Sequence, residues 1–221
     1  MTGKLKLVFG FLAIAFAYFF HYWINGARHL QRKTIKVITE REEVDFPLKF
    51  YEKIINHTLG PSDYQAYRGH IYRVLSYTIH FLDGDETHIN VIGPALVYHD
   101  IGLWTKKTLA YLEPGIELAF EDYGPALDND DNELMKNIIY YHHKLTPFKG
   151  PHADIINAVR KADWIDVTYG LVSQGMPRQA VVTVQGKIEN HGFHKMLLLF
   201  GPTLYGFKIW KIFELFTILK W

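Results

Sequence analysis

The chain has 221 residues, 48% of them hydrophobic and 21% charged, which is the make-up of a folded domain with one core rather than of a disordered or fibrous chain. Its net charge of +1, with histidine neutral, provides no broad basic surface, so no nucleic-acid partner is expected. Twelve histidines and no cysteine exclude thiolate nucleophiles, disulfides and cysteine-type zinc sites, leaving imidazole and carboxylate as metal ligands.

The first element is apolar. Residues 7–24, LVFGFLAIAFAYFFHYWI, follow Lys4 and Lys6 and span 18 residues, close to the minimum for a membrane-crossing helix. A cleaved signal peptide opens the same way, and Ala15-Phe16-Ala17 resembles a cleavage site. The run continues beyond it through Tyr18, Tyr22 and Trp23, so an uncleaved membrane anchor over 1–27 is the preferred expectation. Arg28, Arg32, Lys33 and Lys36 outnumber the two preceding lysines, which leans the main domain towards the cytoplasmic side. A linker is expected over 28–45 and a helical domain over 46–200.

Within that domain, Gly-Pro or Pro-Gly pairs at 60–61, 93–94, 114–115, 124–125 and 150–151 separate stretches with helical spacing. In GHIYRVLSYTIHFL, residues 69–82, the apolar face comprises Ile71, Val74, Leu75, Thr78, Phe81 and Leu82. His70 sits on the edge of that face, beside Arg73 and Tyr77, while His80 points the other way and reads as solvated. The next helix, Ile92 to Tyr98, has almost no polar face yet ends in His99 and Asp100. A buried carboxylate is costly unless something compensates it. The acidic run at 128–133 reads as the caps of a helix starting near Glu133. That helix carries Leu134, Met135, Ile138 and Ile139 inward, with His142 on the same line and His143 at its margin. In DIINAVRKADWIDV, Asp163 lies in mid-face among Ile155, Ile156, Val159, Ala162 and Val167, and Asp166 lies near the edge. VVTV and TVQGKI, near 181–188, are the only strand-like runs. The segment 201–221 is apolar on every side of a helical wheel, with Lys208, Lys211, Glu214 and Lys220 its only charges, and it adds to the expectation of membrane association.

The expected fold is therefore all-α, with His70, His99, Asp100, His142 and Asp163 directed at one interior. No comparable group of lysines or arginines faces them. A divalent metal, Zn, Mn, Fe or Ni, would pair the carboxylates and take neutral imidazole; the alternative is a buried hydrogen-bond network.

The order His70, then His99-Asp100 in YHDIG, then Asp163 in KADWIDV resembles the HD superfamily of metal-dependent phosphohydrolases, and GHIYRV resembles its opening H-x-x-R-V helix. The resemblance covers approximately 46–170. It implies an HD-domain helical bundle in which His70, His99, Asp100 and Asp163 bind metal. Members with two metals carry further histidines between the doublet and the last aspartate, and none lies between Asp100 and His142 here. One metal is the expectation, with His142 or His143 able to supply another ligand and Glu117 or Glu121 as further candidates.

The implied activity is hydrolysis, with metal-activated water attacking a phosphate ester or a small electrophile. Asp100 or His142 would move the proton, and Arg73, Lys106, Lys107 or Lys144 would receive charge developing at the mouth. Family nucleotidases place an acid shortly after the doublet, where this chain has Ile101, Gly102 and Leu103. HDIGL is closer to the branch containing cyanamide hydratase. Tyr98, Trp104, Tyr140, Tyr141 and Trp164 fall near the expected site, and the partner would be a small-molecule substrate. A diiron oxygenase and a non-catalytic membrane-tethered sensor are the alternatives.

Overall fold

The computed structural model describes residues 34–56, 58 and 60–205, with side chains up to Phe200. The expected anchor over 1–27 and most of the apolar segment from 201 lie outside the described residues. Among the described residues, every regular element is helical and no helix is long and apolar enough to cross a membrane.

The chain enters as an extended strap, 34–41, that buries Ile35 and Ile38 and donates the Ile38 amide to Ser76 Oγ at 3.0 Å. This strap lies inside the stretch expected to be linker, and it is held to the bundle by its two buried isoleucines and the Ser76 hydrogen bond. Then follow α1 (Glu42–Asn56), α2 (Asp63–Phe81), α3 (Ile89–Tyr98), the short α4 (Gly102–Thr105), α5 (Leu112–Asp122), a 3₁₀ turn (Gly124–Ala126), α6 (Asn129–Tyr141), α7 (Ala153–Val167), α8 (Arg178–Lys187) and α9 (Phe193–Tyr205).

The bundle is organised around α2. Helices α1, α3, α7, α8 and α9 all pack on it, most extensively α7, and every residue from Gly69 to His80 is buried. This corrects the placement of His80. The helical wheel gave α2 a solvent face, but a helix wrapped on all sides has none, and His80 is only 7% exposed. The strand-like runs near 181–188 are likewise helical, lying in α8, where Ala180, Val181 and Val184 face the core at helical spacing. Helix α6 begins at Asn129 rather than near Glu133, with Asp128 as N-cap accepting from the Asp131 amide at 2.9 Å.

Two glycines permit close approaches that set the site. A Cβ on Gly69 would lie 2.8 Å from the Glu189 carbonyl oxygen, and one on Gly102 would lie 2.4 Å from the Tyr111 carbonyl oxygen. Gly102, the glycine of HDIGL, thus lets the chain before α5 press against the turn that carries His99 and Asp100.

Candidate metal centre

Four elements deliver the histidines and aspartates to one place. His70 comes from the middle of α2, and Asp163 and Asp166 from α7. His99 and Asp100 occupy the turn after α3, and His142 and His143 the turn after α6. The last carbonyls of a helix have no partner within it, and both helix ends use a histidine to satisfy one. His99 Nδ1 lies 2.6 Å from the Leu96 carbonyl oxygen, and His142 Nδ1 lies 2.6 Å from that of Ile139. A carbonyl can only accept, so each Nδ1 carries the proton and each Nε2 presents a lone pair. His70 is fixed from behind by a carboxylate instead. Its Nδ1 donates to Asp166 Oδ2 at 2.7 Å.

Asp166 is held in turn by Arg73, whose Nε and Nη2 donate to its two oxygens at 2.6 and 2.9 Å, while Nη1 donates to the Glu189 carbonyl at 3.1 Å across Gly69. Burial alone would raise the Asp166 carboxyl, but the His70 hydrogen bond and the Arg73 guanidinium hold it down at about 2. Arg73 therefore does not line a mouth. It is 1% exposed and committed to Asp166, which corrects its expected role as a cation for substrate charge.

The Nε2 atoms of His70 and His99 face one another at 3.0 Å, and His70 Nε2 lies 3.4 Å from Asp163 Oδ1 and 3.7 Å from Asp100 Oδ2. On the other side, Asp100 Oδ1 lies 3.4 Å from His142 Nε2 and 3.8 Å from His143 Nε2, and Asp163 Oδ2 lies 3.0 Å from His143 Nδ1. Each carboxylate thus turns one oxygen to an inner set, with His70 and His99, and the other to an outer set, with His142 and His143. His70, His99 and Asp163 on the inner side and His142, His143 and Asp163 on the outer side each meet the spacing required of donors sharing an ion, as do His99, Asp100 and His142 across the two.

The donor atoms are in the state a cation needs. Burial lowers His99 to about 4 and lowers His142 as well, so both rings are neutral near pH 7. Burial also opposes charge on Asp100 and Asp163, but the imidazoles around them outweigh it and both stay ionised. Asp100 Oδ1, both Asp163 oxygens and His142 Nε2 are buried without a well-aligned hydrogen bond. Two ring nitrogens 3.0 Å apart beside such oxygens need something positive between them, either a proton or a metal ion. Those atoms fit divalent metal: imidazole and carboxylate at ligand-to-ligand spacing, with His70, His99 and His142 fixed from behind, and His99 and His142 at the negative ends of α3 and α6.

The remaining expected residues lie elsewhere. Glu117 and Glu121 are on the solvent face of α5, and Lys106 and Lys107 are exposed beyond α4, so none of the four reaches the cluster. Lys144 is buried, its ammonium 4.3 Å from the centre of the Tyr140 ring. Tyr98 donates to Asp122 at 2.6 Å, and Trp104 packs between Tyr67 and Phe200. Tyr140 and Tyr141 line a cavity of about 540 Å³ that also borders Glu113 and His152, and the Trp164 ring centre lies 6.4 Å from that of His143.

Three contributors had little signal in the sequence. Phe193 stacks on His70 with ring centres 4.2 Å apart, Tyr111 lies 6.2 Å from both His142 and His143, and His194 Nε2 donates to the Asp166 carbonyl at 2.7 Å. All three come from segments distant in sequence from the residues they meet. No family model matches the chain, and no curated protein or solved structure matches it either.

Proposed function

We propose that the chain is a metal-dependent hydrolase of the HD type, acting on a phosphate ester or a small electrophile. The observation that carries this reading is the facing pair of Nε2 atoms, His70 and His99 at 3.0 Å, with both Nδ1 atoms already committed to partners behind them and with unsatisfied carboxylate oxygens alongside. A hydrogen-bond network accounts for it less well, because it leaves those oxygens buried at a cost of about 1–3 kcal/mol each or more. The ligand proposal is His70, His99, Asp100 and Asp163 for an inner ion. His142 and His143, with the opposite oxygens of the same two carboxylates, suit a second ion, one more than the sequence spacing suggested. Divalent metal bound there supplies Lewis acidity, which makes water a nucleophile near neutral pH.

The protein's own groups do the rest. Asp166 and Arg73 hold His70 in one tautomer. The Leu96 and Ile139 carbonyls do the same for His99 and His142, so no donor must reorient on binding. With a side chain 14% exposed, against 3% or less for Asp100 and the other ligands, His143 marks where the cluster meets the outside. Burial opposes charge on His143, but Asp163 beside it outweighs that and raises it in the metal-free protein, so a second ion bound there would displace a proton from its ring. Asp100 and His142, expected to move protons, are more enclosed and serve better as ligands. Tyr111, raised by burial and by the charge of Asp100, remains a neutral phenol able to donate a hydrogen bond.

The test is turnover. Protein loaded separately with Mn, Fe and Zn is presented with phosphomonoesters, phosphodiesters and nitriles, alongside Asp163→Ala. Hydrolysis or hydration by the loaded wild type and none by the variant is the expected result. Full metal occupancy with no turnover on any substrate would favour a sensor. The two-sided donor set also fits the diiron oxygenase reading, and substrate-dependent oxygen consumption by iron-loaded protein would select it.

A further inference from the structure

Away from the His/Asp cluster, α1 leaves its outer face bare. Phe46 and Phe50 are 59% and 68% exposed and Ile54, one turn on, is 44% exposed, while Val44, Leu48, Tyr51 and Ile55 bury the opposite face. The Phe46 and Phe50 rings pack edge to face at 5.1 Å and form one apolar ridge. The charges beside it are ordered along the helix. At about 3.6 residues per turn, Glu42, Lys49 and Lys53 share one flank of the Phe46–Phe50 ridge, and all three are exposed. On that flank the acid stands at the start of the ridge and the lysines towards its end. The other acids of α1 are turned away or engaged. A Cβ on Gly93 would lie 2.8 Å from that of Glu43, so Glu43 packs towards α3; Asp45 pairs with Arg68 at 2.8 Å; and Glu52, two residues from Phe50, lies across the helix from it.

We propose that this face pairs with the same face of a second copy of the chain, the two α1 helices running antiparallel with Phe46 of each copy against Phe50 of the other. A two-fold axis across the ridge makes every contact occur twice and keeps each flank beside its own symmetry mate. The register that sets Phe46 against Phe50 brings Glu42 to within one residue of Lys53 on the other copy. Near the axis, Lys49 of each copy lies within two residues of Asp45 of the other. Lys53 also makes a contact within its own chain; the pairing requires only that it lie alongside Glu42. A parallel pair would instead set Glu42 on Glu42 and each lysine on its own kind, a like-charge juxtaposition that disfavours it. Charge thus selects both the partner and its direction. An anionic partner is disfavoured, since α1 carries Glu42, Glu43, Asp45 and Glu52 against Lys49 and Lys53. The ridge is small, below the about 1,200 Å² of a standard interface, so the pair is weak and concentration-dependent.

The test is sedimentation velocity of the full chain over a concentration series at low and high salt. Wild type should associate to a dimer as concentration rises, and less so at high salt, where exposed charge pairs are screened. Phe50→Asp should weaken association by about tenfold or more. Glu42→Lys should weaken it by about threefold, and adding Lys53→Glu to Glu42→Lys, which reverses the charge order, should restore it. Circular dichroism confirms that each variant keeps its helical signal. The absence of cysteine allows the register to be read separately. When Phe46→Cys and Phe50→Cys proteins are mixed and oxidised, the disulfide between positions 46 and 50 should form faster than that of either variant with itself. Four results would overturn the proposal: a wild type that stays monomeric throughout, association indifferent to Phe50→Asp, which would place the contact elsewhere in the chain, a Glu42→Lys defect that Lys53→Glu does not repair, or self-disulfides that outpace the mixed one, as a parallel pair would give. None of these readouts depends on metal or turnover.

Discussion

The two halves of the His/Asp cluster are built to different standards. On the inner side, His70 is locked by a chain of charge-assisted contacts through four residues, from the Glu189 carbonyl through Arg73 and Asp166 to the ring, and Phe193 stacks on its face. On the outer side, His142 is fixed only by the Ile139 carbonyl, and His143 has no hydrogen bond from behind among those described, only the Asp163 carboxylate in front. Pre-organisation lowers the cost of binding. On the proposed metal-dependent reading, the inner set would be the tighter ion site, and the outer set the place where a ligand is exchanged and substrate admitted.

The comparison breaks most decisively at the residue both halves share. Asp163→Ala removes one oxygen from each set and should abolish metal retention through gel filtration, read by elemental analysis, while circular dichroism keeps its helical signal. Next comes the inner lock. Asp166→Asn leaves Arg73 buried without its charge partner, a change that costs about 3–5 kcal/mol, and it frees His70, an outer-shell loss of about 10–100-fold in metal affinity. Thermal unfolding of the metal-free protein and metal competition with a chromophoric chelator measure the two effects separately. His143→Ala should act on one half alone, removing about one ion per chain and leaving the inner one in place.

Removing the metal exposes a pH dependence. His99 is held at about 4 when folded against about 6.5 unfolded, so between those values the unfolded chain binds the extra proton. Its contribution is complete above about pH 6.5 and is lost as pH falls towards 4, a loss of about 3 kcal/mol seen as a falling Tm of the chelated protein. Asp166 adds a further loss from about 3.9 down to about 2. The smallest effects are expected at Glu117→Ala and Lys106→Ala. Both positions face solvent, and metal content should not change, with stability within about 0.5 kcal/mol.

Much of this was legible in the residues themselves. Asp163 stood out because a carboxylate in the middle of an apolar helical face demands a partner, and His142 because its helix pointed it inward. Periodicity misled where the packing was not one-sided. It assigned His80 to solvent on a helix that has no solvent face, and it read the β-branched run at 181–184 as extended when core contacts at helical spacing make it α8. The roles of Arg73 and Asp166 could not be read from α2 or α7 alone. Their pairing depends on α2 and α7 crossing at those residues, and on Gly69 letting Glu189 approach, which are properties of the assembled bundle.

The most direct measurement of the central claim is the metal content of purified wild-type protein, set beside its Tm before and after chelation. Stoichiometric divalent metal, about two ions per chain or one after mild dialysis, with a Tm that drops on chelation and recovers on reloading, is the predicted result. Protein that is folded and metal-free as isolated, takes up no divalent ion, and has a Tm indifferent to chelator would contradict it and leave the six residues as a hydrogen-bonded core.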